Sequence, residues 1–560
     1  MEDDTPEARE GIISDIRRIA LASAATHGST TARIVTAKLL GTRPDLRRRA
    51  AEVAHMVEEV VSEVNAMDPA DLAAFRPEQK KAPPRGPLPE LPGAEPGGVV
   101  TRFPPEPNGY PHIGHAKAAV INHEYARMYG GRLILRMDDT NPAAERLEFY
   151  AAIKVDLEWL GIRFDTIKNT SDDMDILHQK AAELIHRGRA YVCTCDRQRS
   201  SENRRAMVSC ECSRLNPEQN HSRWTRMRTK YKSGEAVLRY RGDMKSPNTT
   251  MRDPVLFRII DERHPLLGDK YRTWPSYDLA IAVEDSIDGV THAFRSKEYE
   301  MRNELYHSIQ ESLDLRKPRI DVFSRLSLRD MPVSKRLIRP LLERGHIAGY
   351  DDPRLPTLSG LRRRGITPEA IRKFVLSLGF TKSDTVAPFE SLESFNRTVV
   401  DPRSVRLHMV NDPARFSLRG MPDVVRLPAL PGSEKTPRAL DCSGDILVES
   451  GDAPALREGV ARLLGLGCVR MASDGALERT EDQKTAPGIH WVPAARSLAV
   501  SLVVAKPPFR GEEFDEGSLT AVDCRVEPYY AELPDYAMIQ FVRFGYARKE
   551  SARQAIFAHK

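Results

Sequence analysis

The sequence predicts a multidomain α/β protein built around a parallel nucleotide-binding sheet, and three observations carry that prediction. A short apolar run at Val99 and Val100 leads through a turn-rich segment into a helical pattern from His115 to Met128. Leu133, Ile134 and Leu135 form the next apolar run. Strand, turn, helix, strand opens a βαβ unit, which sets parallel strands side by side in one sheet. The chain returns to this style at residues 273–330, after an insertion over 173–272 that interrupts the first half, 97–172. Beyond residue 397 the texture changes to short alternating runs such as Ser404-Val405-Arg406-Leu407-His408-Met409-Val410, broken by Pro and Gly. Such alternation reads as antiparallel β-structure, with barrels the expected form over 397–560.

The remaining segments follow from composition and periodicity. At 560 residues the chain is too long for one core and suits roughly three to five domains. Ile12, Ile13, Ile16 and Ile19 recur at helical spacing after Thr5-Pro6, and Val53, Val57, Val60, Val61 and Val64 mark a second amphipathic helix. Residues 1–78 are therefore a helical module whose apolar stripes are core. Residues 79–96, dense in Pro and Gly, are a linker. Residues 331–396 are a further helical region, with 366–379 its clearest helix.

Apolar residues make up 41% and charged residues 29%, an ordinary balance for a globular protein. No apolar stretch approaches the roughly 18 to 20 residues that span a bilayer. The opening Met1-Glu2-Asp3-Asp4 is unlike a secretory leader, so a cytoplasmic protein is expected. The net charge of +5 permits a nucleic-acid partner without requiring one. Its distribution is more telling: residues 197–232 hold ten Lys or Arg against three Glu, an excess suited either to phosphate or to a solvated face.

Seven cysteines in so long a chain are no disulfide framework. Four of them stand as two C-x-C pairs, Cys193 with Cys195 and Cys210 with Cys212. Two thiolate pairs can hold zinc tetrahedrally, although structural sites favour a C-x(2–4)-C spacing; free reduced thiols are the alternative.

The chemistry concentrates in the segment from Arg102 to His115. His112-Ile113-Gly114-His115 follows a strand and opens a helix, where free backbone N–H groups and the positive dipole end attract phosphate. Gly114 lets a base or ribose approach the backbone, and two imidazoles can donate to phosphate oxygens as charge develops. Much further on, Val333-Ser334-Lys335-Arg336 offers a loop lysine that can neutralise a departing pyrophosphate.

Together these two segments resemble the signature pair of the class I aminoacyl-tRNA synthetases. The blocks TRFPPEPNGYPHIGHAKAA, LRMDDTNP, DLEWLGI, WPSYDLAIAVEDSIDGVTHAFRSKEY and YDDPRLPTLSGLRRRGI stand in family order and narrow the resemblance to the glutamyl/glutaminyl branch, archaeal and eukaryotic type. QFVRFGYARKE is similar to the family's last barrel strands, and the N-terminal helices to its archaeal extension. Two positions depart from the pattern. Pro332 replaces the first lysine of the second signature, and Pro111 replaces the leucine before the first histidine. Neither removes the Ser-Lys pair or an imidazole.

The resemblance implies a Rossmann-type catalytic domain, an insertion that grips the tRNA acceptor end, and C-terminal barrels that read the anticodon. It implies His112, His115, Ser334 and Lys335 as catalytic residues. Pro104, Pro105, Glu106, Asn108 and Gly114 join them around ATP, with Mg²⁺ as its companion ion. Arg102, Asp138, Tyr277 and Arg295 would hold glutamate, and Arg362, Arg363 and Arg364 would meet tRNA. Asp138 and Asp139 have an alternative role as a helix cap. Arg295 is the discriminating position, because glutaminyl enzymes carry a neutral cysteine there. A guanidinium grips a γ-carboxylate bidentately, and a salt bridge to Glu298 or Glu300 is the competing structural role.

The expected reaction is ATP-dependent activation of glutamate followed by transfer to the 3′ end of glutamate tRNA. Whether glutamine tRNA is charged too is left open by the residues. Three rival functions fit the residues less well. A glutaminyl enzyme conflicts with Arg295. A catalytically inert tRNA-binding paralogue has no need of an intact phosphate-binding set. A small-molecule nucleotidyltransferase has no need of the C-terminal β-region. The N-terminal module is expected to dock a protein partner.

Overall fold

The computed structural model describes residues 6–27, 29–43, 46, 50–68, 71–72, 75, 88–333, 335–482, 488–511 and 513–560. The chain divides into two units, residues 1–86 and 87–560.

The first unit has three helices, α1 (Pro6–His27), α2 (Ala32–Thr42) and α3 (Ala50–Asn65). Ile12, Ile16, Ala20 and Ala24 of α1 meet Val35 and Leu39 of α2 and Val53, Val57, Val60 and Val64 of α3 in one buried cluster. The apolar stripes are therefore packing surface. The Asn65 side chain seals the α1–α2 turn, accepting from the Thr30 N–H and donating to its carbonyl, both at 2.9 Å. Of the expected linker, residues 79–87 lie outside the described residues. Residues 88–96 are anchored, since Leu88 and Leu91 pack with Val99, Ile121 and Tyr125.

In the second unit, β1 (Val100–Phe103), α4 (Ile113–Met128), β2 (Arg132–Met137), α5 (Leu147–Trp159) and β3 (Thr166–Asn169) form the expected βαβ succession. The strands pair in parallel, with Val100 opposite Arg132 and Ile134 opposite Thr166. Gly131 makes the first pairing feasible, because a Cβ there would fall 1.9 Å from the Val99 carbonyl oxygen. The insertion follows as α6 (Met174–His186), β4 (Ala190–Cys193), α7 (Arg197–Ala206), α8 (Pro217–Thr229), β5 (Val237–Tyr240), β6 (Val255–Ile259) and β7 (Thr273–Pro275). Its four strands form an antiparallel sheet in sequence order.

The parallel sheet then resumes with α9 (Tyr277–Ile287), β8 (His292–Ser296), α10 (Asn303–Ser312) and β9 (Arg319–Phe323). Thr291 donates its N–H to the Val100 carbonyl at 2.9 Å and accepts from the Val100 N–H at 2.8 Å, laying β8 beside β1. β1, β2 and β3 form one three-stranded parallel sheet, and β8 and β9 a two-stranded parallel one set beside β1. The chain reverses direction of travel between β1 and β8, where a crevice opens at the strands' carboxyl ends.

A helical region follows: α11 (Lys335–Glu343), α12 (Leu358–Arg364), α13 (Pro368–Ser377) and α14 (Phe389–Val400). The helix expected over 366–379 is α13, shortened at its start by Thr367, whose hydroxyl caps the Ala370 N–H at 3.3 Å. From Val405 to His559 the chain builds two seven-stranded sheets over separate cores, one around Leu502, Ile539 and Phe541 and the other around Ile446, Leu463 and Trp491. Pairing is largely antiparallel, but Val405–Leu407 runs parallel to Met538–Phe541, so the region is mixed.

Candidate active site

The crevice between β1 and β8 is a cavity of about 990 Å³. Arg102, Pro104, Pro105, Glu106, Asn108, His112, Gly114, His115, Asp138, Tyr277 and Arg295, which the sequence placed in one site, all line it. Val333 lines it too, so the chain reaches the cavity rim one residue before the Ser-Lys pair of the second signature. Ser334 lies outside the described residues, as does the Lys335 side chain; the Lys335 backbone opens α11.

His112 is the N-cap of α4, and its Nδ1 accepts the Gly114 N–H at 3.1 Å. The His112 N–H in turn donates to Nδ1 of His115 at 3.3 Å. A nitrogen that accepts carries no proton, so each neutral ring holds its proton on Nε2. Backbone geometry thus makes both histidines Nε2 donors. Burial, His115 and Arg325 hold His112 well below the usual imidazole range, keeping it neutral. Gly114 provides the space: a Cβ there would stand 2.9 Å from Cε1 of His112. The turn is pinned from outside by Ile113 N–H to Pro356 and Leu358 N–H to Pro111, both 2.9 Å.

The other end of the cavity is charged. Arg295 is 3% exposed, and its Nη1 donates to Asn303 Oδ1 at 2.9 Å. Its Nε and Nη2 have no hydrogen-bond partner. Three tyrosine rings surround the guanidinium, with centroids at 5.7 Å for Tyr277, 5.5 Å for Tyr299 and 5.2 Å for Tyr306. The competing structural role is absent: Glu298 pairs with Arg325 at 3.3 Å and Glu300 with Lys382 at 2.8 Å. Cation–π contact offsets part of the desolvation of such a group, but two buried donors still lack an acceptor.

Asp138 has the opposite charge, and its Oδ1 accepts from the Thr140 hydroxyl at 3.3 Å. Burial, then Glu106, push its carboxyl up to about 7, against the pull of Arg136. Asp139 is not a partner in that task, nor does it cap the segment that follows. It accepts from Ser171 N at 2.8 Å, Ser171 Oγ at 2.6 Å and Tyr150 Oη at 2.9 Å, locking a distant turn.

Arg102 also differs from expectation in part. It lines the cavity, but Nε donates to Asp285 at 2.9 Å and Nη1 to the Phe294 carbonyl at 2.9 Å. Two of its three nitrogens therefore serve the fold. Asp285, which the sequence reading missed, is fully buried and also accepts from Arg136 at 2.6 Å and Tyr306 at 3.0 Å. Burial raises the proton affinity of the Asp285 carboxyl, but Arg102 and Arg136 outweigh it and hold the group below the usual carboxylate range.

Two further groups of candidate residues lie away from the cavity. The four cysteines converge, with all sulfur atoms within 4.8 Å of one another and Cys193 to Cys210 at 3.9 Å. A tetrahedral ion with Zn–S near 2.3 Å requires sulfurs about 3.8 Å apart, so the donor set fits zinc. Arg223 Nη1 reaches Cys212 Sγ at 3.6 Å, a cation suited to thiolate charge. Of the three consecutive arginines, only Arg362 is exposed. Arg363 is tied to Glu550 at 3.0 Å and Asp351 at 3.2 Å. Arg364 is buried over Phe389 and pairs with Glu393, so it is withdrawn as a tRNA contact.

Comparison with known proteins meets this geometry. The family model for the catalytic domain of class I tRNA synthetases (E and Q) matches residues 98–402, and that for their anticodon-binding domain matches residues 488–550. A glutamate–tRNA ligase from Cenarchaeum symbiosum is 54% identical over 98% of this chain and 99% of its own. One from Nitrosopumilus maritimus is 50% identical over 98% and 100%. One from Korarchaeum cryptofilum is 37% identical over 95% and 96%. The chain therefore belongs to the class I tRNA synthetases of the glutamate and glutamine branch. Its activity within that branch is glutamate–tRNA ligation, with glutamate and tRNA as substrates and ATP as the energy source. Among the described residues no helix is long and apolar enough to cross a membrane.

Proposed function

We propose that the cavity divides the work of glutamylation between two ends, with Arg295 selecting glutamate by its γ-carboxylate. The observation that carries this reading is a buried cation with two unpaired donors and no ion pair among the described residues. A carboxylate satisfies both donors bidentately, whereas the neutral amide of glutamine leaves the charge uncompensated at a cost of about 2–5 kcal/mol. Asp138 accepts from the α-ammonium. Tyr277 walls the side-chain end, and Arg102 is held in place by Asp285.

At the other end, His112 and His115 donate through Nε2 to phosphate oxygens of ATP, backed by the positive end of α4. Pro104, Pro105, Glu106, Asn108 and Gly114 shape the ATP side, and Ser334 and Lys335 close over the triphosphate. The α-carboxylate attacks the α-phosphate, pyrophosphate leaves, and a terminal ribose hydroxyl of tRNA then attacks the adenylate carbonyl. Positioning and electrostatics supply the acceleration, and no protein nucleophile takes part.

Mg²⁺, when bound with ATP, neutralises triphosphate charge. The acids Asp173, Glu284 and Asp288, of which Glu284 is buried, are a poor seat for it, because Lys168 sits 3.0 Å from Glu284 and 2.8 Å from Asp288. The ion would instead arrive on phosphate oxygens, as its preference for retained waters favours. Cys193, Cys195, Cys210 and Cys212 would hold zinc as a structural knuckle, remote from the bond-forming atoms. Arg362 is the remaining tRNA contact of its triplet. Residues 1–78 would dock a protein partner, and the enzyme would work in the cytoplasm.

The test is aminoacylation by the purified protein with ATP, Mg²⁺ and tRNA, comparing labelled glutamate with labelled glutamine. An Arg295→Cys variant is run in parallel. Glutamate charging that falls at least about 30-fold in kcat/KM in the variant supports the assignment, that being the lower end of the charge-pair cost. A variant that charges glutamate as well as wild type removes it. The same assay with a glutamine tRNA transcript tests the relaxed tRNA choice of an archaeal-type enzyme; charging below a tenth of that with glutamate tRNA rejects it.

A further inference from the structure

Arg295 is held from behind by one side chain, and that side chain is neutral. Asn303, the first residue of α10, accepts from Arg295 Nη1 on its Oδ1 at 2.9 Å and does not itself line the cavity. The choice of nitrogen sets the geometry. Nε and Nη2 share one edge of the guanidinium plane, and Nη1 points away from that edge. With Nη1 engaged, the edge left over is the two-donor fork that matches a carboxylate. Nε and Nη2 have no hydrogen-bond partner, so among the described residues the Asn303 amide is the acceptor that fixes the plane. The insertion in turn secures the turn that carries Asn303. Asn248 Nδ2 donates to the Met301 carbonyl at 2.9 Å and to Glu304 Oε2 at 2.8 Å, and Thr250 Oγ1 donates to the same carbonyl at 2.9 Å.

Negative charge is kept from this contact in a segment that has plenty of it. Glu298, Glu300 and Glu304 flank Asn303 in sequence, yet Glu298 pairs with Arg325, Glu300 with Lys382, and Glu304 accepts from Asn248. An aspartate has the shape and reach of asparagine and adds a full charge. In place of Asn303 it would neutralise Arg295 in the empty protein. A γ-carboxylate would then meet a cation already paired and a second negative charge, both unfavourable in a desolvated pocket. Glutamine would meet the opposite change, because its neutral amide would no longer leave a buried cation uncompensated. The neutral amide of Asn303 is therefore what makes Arg295 require an anion from the substrate.

We propose that Asn303 is a positioning residue that sets amino-acid specificity: it presents the Nε–Nη2 edge of Arg295 to the substrate side chain and leaves the guanidinium charge for that side chain to compensate. It acts through Arg295 and touches no reacting atom. The proposal rests on Arg295 receiving the γ-carboxylate. It adds that selection of glutamate over glutamine belongs to the pair, because the same arginine beside an acid would lose it.

The experiment compares full-length Asn303→Asp and Asn303→Ala with wild type in aminoacylation at saturating ATP and tRNA. Glutamate is titrated for KM and kcat, and glutamine is titrated as a competing ligand for its Ki. Asn303→Asp is expected to raise the glutamate KM at least about 30-fold and to lower the glutamine Ki at least about threefold. Asn303→Ala, which loosens the guanidinium without neutralising it, should raise the glutamate KM about tenfold and leave the glutamine Ki no lower. In both variants kcat at saturating glutamate and KM for ATP should stay within about threefold of wild type. Adding Asn303→Ala to Arg295→Cys should change the glutamate KM by less than about twofold, since the residue acts only through the guanidinium. Aspartate and alanine variants with equal glutamate KM values and an unchanged glutamine Ki would reduce Asn303 to a structural part and overturn the proposal. If Asn303→Asp shows no cooperative melt, the alanine variant decides alone. A glutamate KM within about twofold of wild type then overturns the proposal, and a rise beyond that with KM for ATP unchanged supports it. Undiminished glutamate charging by Arg295→Cys would instead remove the reading beneath it, so the two failures are told apart.

Discussion

Asp138 and Arg295 carry opposite charges into one cavity, and neither forms an ion pair among the described residues. Free glutamate brings both missing charges, an ammonium and a γ-carboxylate. Holding unpaired charges apart in the empty protein has a measurable consequence at Asp138. Its carboxyl titrates near 7 because burial and Glu106 disfavour the ionised form, with Asp139 and Glu145 adding to the effect and Arg136 opposing it. Above that value the side chain is a carboxylate and pairs with the ammonium. Below it, the side chain is neutral and that pairing is lost. KM for glutamate should therefore stay level from pH 7 to 8 and rise about tenfold per unit as pH falls below 7. In Asp138→Asn the profile should be flat with KM high throughout; a wild-type profile flat from pH 5.5 to 8 would refute the assignment. Asp285 shows what sequence alone conceals at this scale. Arg102 and Arg136 lie 183 and 149 residues away from it, so its role as their common anchor has no local signature. The burial of Arg364 is hidden for the same reason, since the carbonyl it reaches belongs to Ala558.

Among elements, legibility follows how much of the causal pattern is local. The βαβ opening was readable because α4 is set by its own capping histidine and β2 by a compact apolar run. α2 was missed: Thr31, at its N-cap, makes no side-chain cap bond, and its buried Val35 and Leu39 are too few to show periodicity. The cysteine knuckle was half-readable. Its C-x-C spacing is tight, yet a strand end at Cys193 and a 3₁₀ turn from Glu211 to Arg214 bring the pairs together across 17 residues. If zinc closes this knuckle, its binding energy is folding energy for the insertion. The purified protein should then contain about one zinc per chain by elemental analysis. A Cys193→Ser, Cys212→Ser double variant should contain almost none and melt at least about 4 °C lower, a loss of roughly 1–2 kcal/mol or more for a domain of this size. Metal-free wild-type protein with the same melting temperature as the zinc-loaded form would set the knuckle down as reduced thiols only.

At the scale of the whole molecule, chemistry and its accessory parts are segregated along the chain. The catalytic family match begins at residue 98, and every residue lining the active-site cavity lies between Arg102 and Val386. The three N-terminal helices close their own core, in which Ile16, Val35 and Val57 are fully buried. None of the residues that line the cavity belongs to this unit. Relatives at 50–54% identity nevertheless extend over 98% of the chain, so the helices are a shared part of these archaeal proteins. The proposed role in docking a partner, with no role in the chemistry, would account for both facts. A protein beginning at Pro87 should therefore charge glutamate tRNA with kcat/KM within about threefold of the full chain, equivalent to less than 1 kcal/mol of transition-state stabilisation. The same truncation should lose whatever protein co-purifies with the full chain. A truncated enzyme whose KM for tRNA rises a hundredfold would instead make the helical module part of the RNA-binding surface, and the docking role would fall.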